Sequence, residues 1–438
     1  MRFFFLFFLF VLPLSAQEVS TATAASASDE GMSENSTAIR KLVVAAWKIS
    51  SRISPDPQKL NYVFDRSFFN YISQDKMTAI FKELYNQNGS VVEVSSVSYK
   101  GGLTANFFLY TDKGYVIPAS VTVEDKKWKV TGLFFQPSFR KTSSLSDTTS
   151  AFEKMPYSLS ALLVKKMSGL EDNIYARNET KPAAIGSAFK LYVLAWLVEN
   201  EVSWDKILRM SASVRSLPSG RLQNMPDKTP FTVFSLAQAM ISESDNTAAD
   251  MLIDFIGREK IEQSLPNFFN SWQKLNTPFL KTSEMFKLKA DPQLLSRYAL
   301  SDVKGRRKIL RELEKKSLPS PDFLDPGKPI AISSVEWFAS MEDICRLMDY
   351  FRKKNNPQVN AILSLNGGLD VKTPGFKFAA YKGGSEPGVL SMNWLLQSKS
   401  GTWYCVAGAV NDEKIPVNQK DYFQLMQATL NQVGSEIF

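Results

Sequence analysis

The residues of this 438-residue chain that could do covalent chemistry fall in three short runs. The first is Gly186-Ser187-Ala188-Phe189-Lys190, where a hydroxyl and an amine stand three positions apart. On a helix, positions i and i+3 share a face, so Ser187 Oγ and Lys190 Nζ can lie side by side. A serine hydroxyl is a weak nucleophile until a base takes its proton. A lysine can serve once burial or a neighbouring cation lowers its pKa from about 10.4 toward neutrality. Ser187 also opens the apolar run Leu191, Val193, Leu194, Trp196 and Leu197. Free backbone N–H groups and the dipole at such a helix start favour a developing oxyanion. The chain contains no histidine. That removes the Ser-His-Asp triad, the Cys-His dyad and the HExxH zinc motif together, leaving Lys, a carboxylate or Tyr as the base.

The second run is Ser244-Asp245-Asn246, between helical patterns at residues 234–241 and 247–256. A short polar tripeptide between two helices can hold a hydroxyl and a carboxamide rigidly against a cleft. The third is Lys382-Gly383-Gly384-Ser385, at the end of a strand-like segment over residues 376–381. Its glycines let a substrate approach a strand edge, and its lysine can pair with a carboxylate. Taken singly, each run also has a plain structural reading: Ser187 as a helix cap, Asp245 or Asn246 as another, and Lys-Gly-Gly as a turn.

The elements that must position these runs follow from periodicity. Residues 159–165 and 173–177 read as two strands joined around Ser168-Gly169, and residues 388–397 and 402–410 as two more, turned by Lys399-Ser400-Gly401. Upstream, a helical stripe begins around Thr37 with Ile39, Leu42, Val43, Ala46, Trp47 and Ile49. Further helices are expected through Phe64, Phe68, Phe69 and Tyr71, and through Met77, Ile80, Phe81 and Leu84. A meander of strands follows over residues 91–99, 103–111, 115–123 and 127–135, with Lys113-Gly114 and Glu124-Asp125 as turns.

The order S-x-x-K, S-D-N, then Lys-Gly-Gly resembles the S-x-x-K, S-D-N, K-T-G signature of class A β-lactamases and penicillin-binding proteins. The run from Thr232 to Ile241 leading into Ser-Asp-Asn-Thr-Ala-Ala is similar as well. The resemblance implies an α+β protein whose larger part is an α/β β-lactamase-like domain, a five-stranded antiparallel sheet flanked by a helical subdomain. Two strands would come before Ser187 and three after residue 376. It further implies acylation of Ser187 with Lys190 as base, a proton relay through Ser244 helped by Lys382, and Asn246 holding a substrate amide. Gly383, Gly384 and Ser385 would line the substrate, and the N–H groups of Ser187 and Ser385 would form an oxyanion hole. The expected activity is that of a serine hydrolase on a β-lactam or related amide; the alternatives are an esterase or peptidoglycan peptidase of the same fold, or a penicillin-binding protein with little turnover.

Two departures stand out. Gly383 occupies the place where the family has a hydroxyl residue, for which Ser385 is a substitute. No E-x-x-L-N run follows Ser244 to activate a deacylating water, leaving Glu336 and Asp325 as stand-ins, and residues 276–329 read as remodelled. With its N-terminal addition and its Lys-Gly-Gly-Ser-Glu-Pro-Gly run, the chain resembles β-lactamase-like proteins of clavam biosynthesis clusters and their exported relatives. That likeness argues for acyl chemistry more than for vigorous antibiotic hydrolysis.

Arg2, the apolar run from Phe3 to Leu12 and the small residues ending at Ala16 describe a secretory signal peptide over residues 1–16, hence a secreted or periplasmic protein with no membrane span after its removal. Residues 17–36 read as a flexible tether, and residues 37–140 as an N-terminal domain of helices and a curved antiparallel sheet. Its pattern resembles the cone-shaped steroid-isomerase and cystatin-like group, with a structural or docking role expected. A Ser/Thr-rich linker, residues 141–150, leads to the hydrolase domain, residues 151–438. Cys345 and Cys405 read as buried free thiols, or as one disulfide if the protein is exported. They cannot build a metal site without histidine, and no cofactor is expected. The formal charge of +8 is spread among acids along the chain, which excludes a nucleic-acid footprint. The expected partner is a small-molecule or cell-wall-derived substrate; the sequence carries no signal for oligomeric state.

Overall fold

The computed structural model describes residues 29–436 except 96–97, 100–102, 125, 137, 142–143, 168–171, 324–327 and 373. The expected signal peptide, most of the tether, the Ser168-Gly169 turn, Asp125 and Asp325 lie outside the described residues. The chain divides into two compact units. One runs up to Leu84 and adds Val94–Phe108 and Ala119–Phe134; the other comprises Tyr85–Glu93, Leu109–Pro118 and Phe135–Phe438.

Helix α1 (Asp29–Ser50) starts upstream of Thr37, within the stretch expected as tether. Once nucleated, a helix propagates by backbone hydrogen bonds and needs no apolar stripe to continue. Its buried face is Leu42, Ala45, Ala46 and Ile49, the i, i+3, i+4, i+7 set. Ile39 and Trp47, expected on that stripe, are exposed because they fall outside this arc. The helix expected through Phe64 to Tyr71 is instead one helical turn, Leu60–Val63, and a 3-10 turn, Arg66–Asn70. Phe64 and Phe68 stack there at 4.3 Å between ring centroids. Helix α2 (Gln74–Asn88) is followed by β1 (Val91–Val94), β2 (Thr104–Thr111), β3 (Tyr115–Val123) and β4 (Val130–Phe135). These pair in that order, with Ser98–Tyr99 beside β2 and Phe139–Arg140 beside β3.

The second unit contains α3 (Leu145–Glu153), β5 (Leu159–Lys166), β6 (Asp172–Arg177) and a 3-10 turn, Gly186–Phe189, that runs into α4 (Lys190–Glu199). Next come α5 (Val233–Ser242), α6 (Asn246–Ile256), α7 (Thr282–Ala290), α8 (Met341–Lys354), β7 (Phe378–Glu386), β8 (Val389–Gln397), β9 (Trp403–Asn411) and α9 (Gln419–Ser435). The sheet is five-stranded in the order β7-β8-β9-β5-β6, every neighbouring pair antiparallel. Two strands precede Ser187 and three follow it, as the resemblance implies.

Its central strands are apolar on both faces because both faces are covered. Along β5, Ala161 and Leu163 enter one core while Leu162 and Val164 enter the other. Along β9, Cys405, Ala407 and Ala409 alternate with Tyr404, Val406 and Val410 in the same way. The first core is closed by the helices from α4 to α8, and the second by α3 and α9 through Phe152, Tyr422, Met426 and Leu430. Of the stretch expected as remodelled, Leu288, Leu294, Tyr298, Ile309 and Leu313 are buried in the first core.

Cys345 on α8 and Cys405 on β9 form a disulfide, which corrects the expectation of buried free thiols. They are 60 residues apart in sequence, and packing of α8 on the sheet brings their Cα atoms to 5.7 Å. A second correction concerns Lys382-Gly383-Gly384-Ser385. The run lies inside β7 rather than beyond its end, because β8 pairs with every residue from Phe378 to Glu386.

Candidate active site

Ser187 sits in the 3-10 turn, and Lys190 is the first residue of α4, fully buried. Their side chains meet as the i, i+3 spacing predicts, with Lys190 Nζ 3.1 Å from Ser187 Oγ. Ser244 lies in the loop between α5 and α6 in a left-handed backbone conformation, φ 56°. That conformation is costly for a residue other than glycine. It turns both the hydroxyl and the carbonyl of Ser244 toward the lysine: Nζ lies 2.6 Å from Ser244 O and 3.2 Å from Ser244 Oγ. Asp245 fixes the loop. It caps α6 by accepting from Ala248 N at 2.8 Å and also accepts from Arg221 N and Leu222 N.

Asn246 Oδ1 accepts from Lys190 Nζ at 2.7 Å, and its Nδ2 donates to Leu217 O at 3.0 Å. Both ends of the carboxamide are thus held by protein groups, and Asn246 is not among the residues lining the cleft. On the opposite wall, Lys382 Nζ donates to Ser244 Oγ at 3.0 Å and to Gly383 O at 2.6 Å. Ser244 Oγ therefore bridges the two lysines.

Burial pushes the Lys190 amine well below its ordinary value, and the Lys382 charge pushes it the same way; Asp245 and Asp250 pull back without cancelling this. Burial brings Lys382 down to about 7. A neutral amine has two N–H donors and one lone pair. Ser244 O and Asn246 Oδ1 can only accept, so they take the two donors. The lone pair is left facing two hydroxyls, Ser187 at 3.1 Å and Ser244 at 3.2 Å, and accepting from Ser187 is the arrangement a general base requires.

Strand β7 runs close against this turn. A Cβ on Gly384 would overlap Ser187 N and Ile185 O, so only glycine permits the approach. It brings the Ser385 backbone beside Gly186, on the cleft wall that Ser187 also lines. The cleft has a volume of about 270 Å³; Ser187, Ser244, Lys382, Gly383, Gly384 and Ser385 all face it.

Glu336 does not face the cleft. Its side chain is 1% exposed and pairs with Lys289 at 2.9 Å, and Lys289 also pairs with Glu386 at the end of β7. Sequence reasoning missed several residues that line the cleft, Ser219, Glu243 and Tyr381 among them. Ser219 Oγ donates to Ser244 O at 2.8 Å, Glu243 pairs with Arg221 at 3.1 Å, and Tyr381 stands on β7. Glu243 adjoins the second motif, and Tyr381 shares a strand face with Gly383, so adjacency could have flagged both.

Residues 160–317 match the model of the beta-lactamase enzyme family, Beta-lactamase2; this range contains Ser187, Lys190 and Ser244. Comparison with curated proteins gives no match. Among solved structures, PBP-A is similar at 16% identity and TM-score 0.45, covering 68% of this chain and 97% of that one. A beta-lactamase from Sphaerobacter thermophilus shows 17% identity and TM-score 0.45, covering 67% and 97%. A beta-lactamase from Francisella tularensis shows 13% identity and TM-score 0.47, covering 66% and 98%.

Proposed function

We propose that the chain is an exported serine hydrolase of β-lactamase type that acts through an acyl-enzyme at Ser187. The observation that carries this reading is the buried Lys190 amine, 3.1 Å from Ser187 Oγ, with its other close partners able to take its two N–H donors. In the proposed reaction Ser187 Oγ bonds to the substrate carbonyl carbon while its proton passes to Lys190. The carbonyl oxygen becomes an oxyanion facing the Ser187 and Ser385 N–H groups, each such donor typically contributing about 3 kcal/mol. As the tetrahedral centre collapses, the C–N bond breaks and the leaving nitrogen takes the Ser244 proton. The Lys190 ammonium replaces that proton, which restores the amine. Lys382 holds Ser244 in place for this relay. Water then hydrolyses the acyl-enzyme.

A second reading, a penicillin-binding protein with little turnover, is favoured by one feature. Among the described residues no carboxylate hydrogen-bonds to Ser187 or Lys190, and Glu336 is held by Lys289. Export is supported by the basic residue and apolar run at Arg2 to Leu12 and by the Cys345–Cys405 bond, which suits an oxidising compartment. The N-terminal part is assigned a docking role in a cone-like fold, on its pattern of helices followed by a strand meander. Intact mass after exposure to a penicillin tests the whole reading. A transient adduct on Ser187 with turnover supports a β-lactamase, and a lasting adduct supports the second reading. An unmodified protein that activated esters also fail to label would sink both.

A further inference from the structure

Gly383 stands where the family resemblance would place a hydroxyl side chain, and the space it leaves is filled. A Cβ at Gly383 would overlap Tyr381 Oη. Residues two apart on a strand share a face, so Tyr381 lies on the same side of β7 as position 383, and its phenol folds over the glycine. The ring has a fitted seat. A Cβ at Gly368 would overlap its edge, and Trp394 packs against it with centroids 5.0 Å apart. Tyr381 lines the cleft beside Ser187, Lys382 and Ser385, and among the described residues its hydroxyl has no hydrogen-bond partner. Burial raises its pKa, so the phenol remains a neutral donor through the physiological range. Lys382, another donor, also lines the cleft, whose wall is rich in hydroxyls and whose one carboxylate among the described residues, Glu243, is paired with Arg221. Such a wall selects an acceptor, and an anionic one gains most.

We infer that Tyr381 is a substrate-binding residue whose Oη donates to a carboxylate on the substrate beside the acylated carbonyl, in the place a hydroxyl at position 383 would hold. This rests on the acyl-enzyme reading above. Glycine at 383 and glycine at 368 are then the conditions for seating the phenol, whose hydroxyl comes from a residue two positions before 383.

The test compares acylation of Ser187 by benzylpenicillin and by its methyl ester, followed by intact mass, in the full chain and in Tyr381→Phe. The variant keeps the ring in its seat and removes only the hydroxyl. The acid-to-ester ratio of acylation rates is expected to fall roughly 10- to 100-fold, the range for a hydrogen bond to a charged group. An unchanged ratio, or equal losses for both compounds, overturns the inference while leaving the acyl-enzyme reading intact. A wild-type protein that neither compound labels overturns both. Tyr381→Ala combined with Gly383→Thr puts a hydroxyl back on the strand itself. It should raise the ratio above that of Tyr381→Ala alone, and failure to do so counts against a hydroxyl at this place.

Discussion

Two of the regions where this protein buries lysines treat them in opposite ways. At the candidate active site, Lys190 and Lys382 are surrounded by hydroxyls, carbonyls and an amide, and burial lowers the pKa of each. On the far side of Ser385, Lys289 is as deeply buried but lies between Glu336 and Glu386. Burial pulls Lys289 down too, yet the two carboxylates outweigh it and hold the ammonium charged, above its ordinary value. Glu386 responds in turn: burial and the nearby Glu336 raise it well above the usual carboxylate range, against the pull of Lys289. Burial alone therefore does not decide what a lysine does. A carboxylate partner makes it a charged strut, here joining α7 to the end of β7. Neutral acceptors make it a base.

The sharpest way to break this contrast is Lys190→Met. Acylation of Ser187 should fall by roughly 10²- to 10⁴-fold, the scale of a lost general base. Thermal stability should hardly change, because no buried charge loses its partner. A collapse of the melting temperature with little loss of acylation in the surviving protein would make Lys190 a structural residue. Gly384→Ala should come next, lowering acylation by roughly 10²- to 10³-fold through displacement of an oxyanion donor. Stopped-flow acylation would expose an unaffected rate and remove the oxyanion role from β7.

Lys289→Met should show the reverse profile. Removing one member of a buried ionic group costs about 3–5 kcal/mol, read as a shift in urea midpoint. Reducing the Cys345–Cys405 bond should cost a further about 2–4 kcal/mol. Melting curves with and without reductant report it, and coincident curves would mean the bond contributes nothing.

The remaining effect is a slope. Lys382 has a folded pKa of about 7, below its unfolded value. Between about 7 and about 10.4 the unfolded chain holds a proton that the folded one does not, so stability rises with pH across that window. For Lys289 the folded value is raised, so its stabilisation is complete at neutral pH and is lost only as pH climbs through that higher value. Lys382→Met should flatten the rise that the wild type shows. Parallel slopes in the two proteins would contradict a depressed Lys382.

Much of the site was legible in the sequence because its key contact is local. Ser187 and Lys190 are three residues apart on one helical turn, and helix geometry needs no tertiary information to bring them together. The absence of histidine is likewise a fact of composition, and the alternation along β5 and β9 already divides their residues between two faces. Other features were not legible, since each depends on which distant groups arrive. Nothing near Glu336 in the sequence shows that Lys289 will claim it, and nothing near Asn246 shows that Lys190 and Leu217 will occupy its carboxamide. The pairing of Cys345 with Cys405 required α8 to settle on β9, and the seat of Tyr381 required Gly368 to arrive beside it. The contact between Ser187 and Lys190, the expected nucleophile and base, follows from short-range spacing along a helix alone. Which buried lysine has its pKa lowered and which is held charged follows from tertiary packing, because a pKa is set by every group brought within a few ångströms.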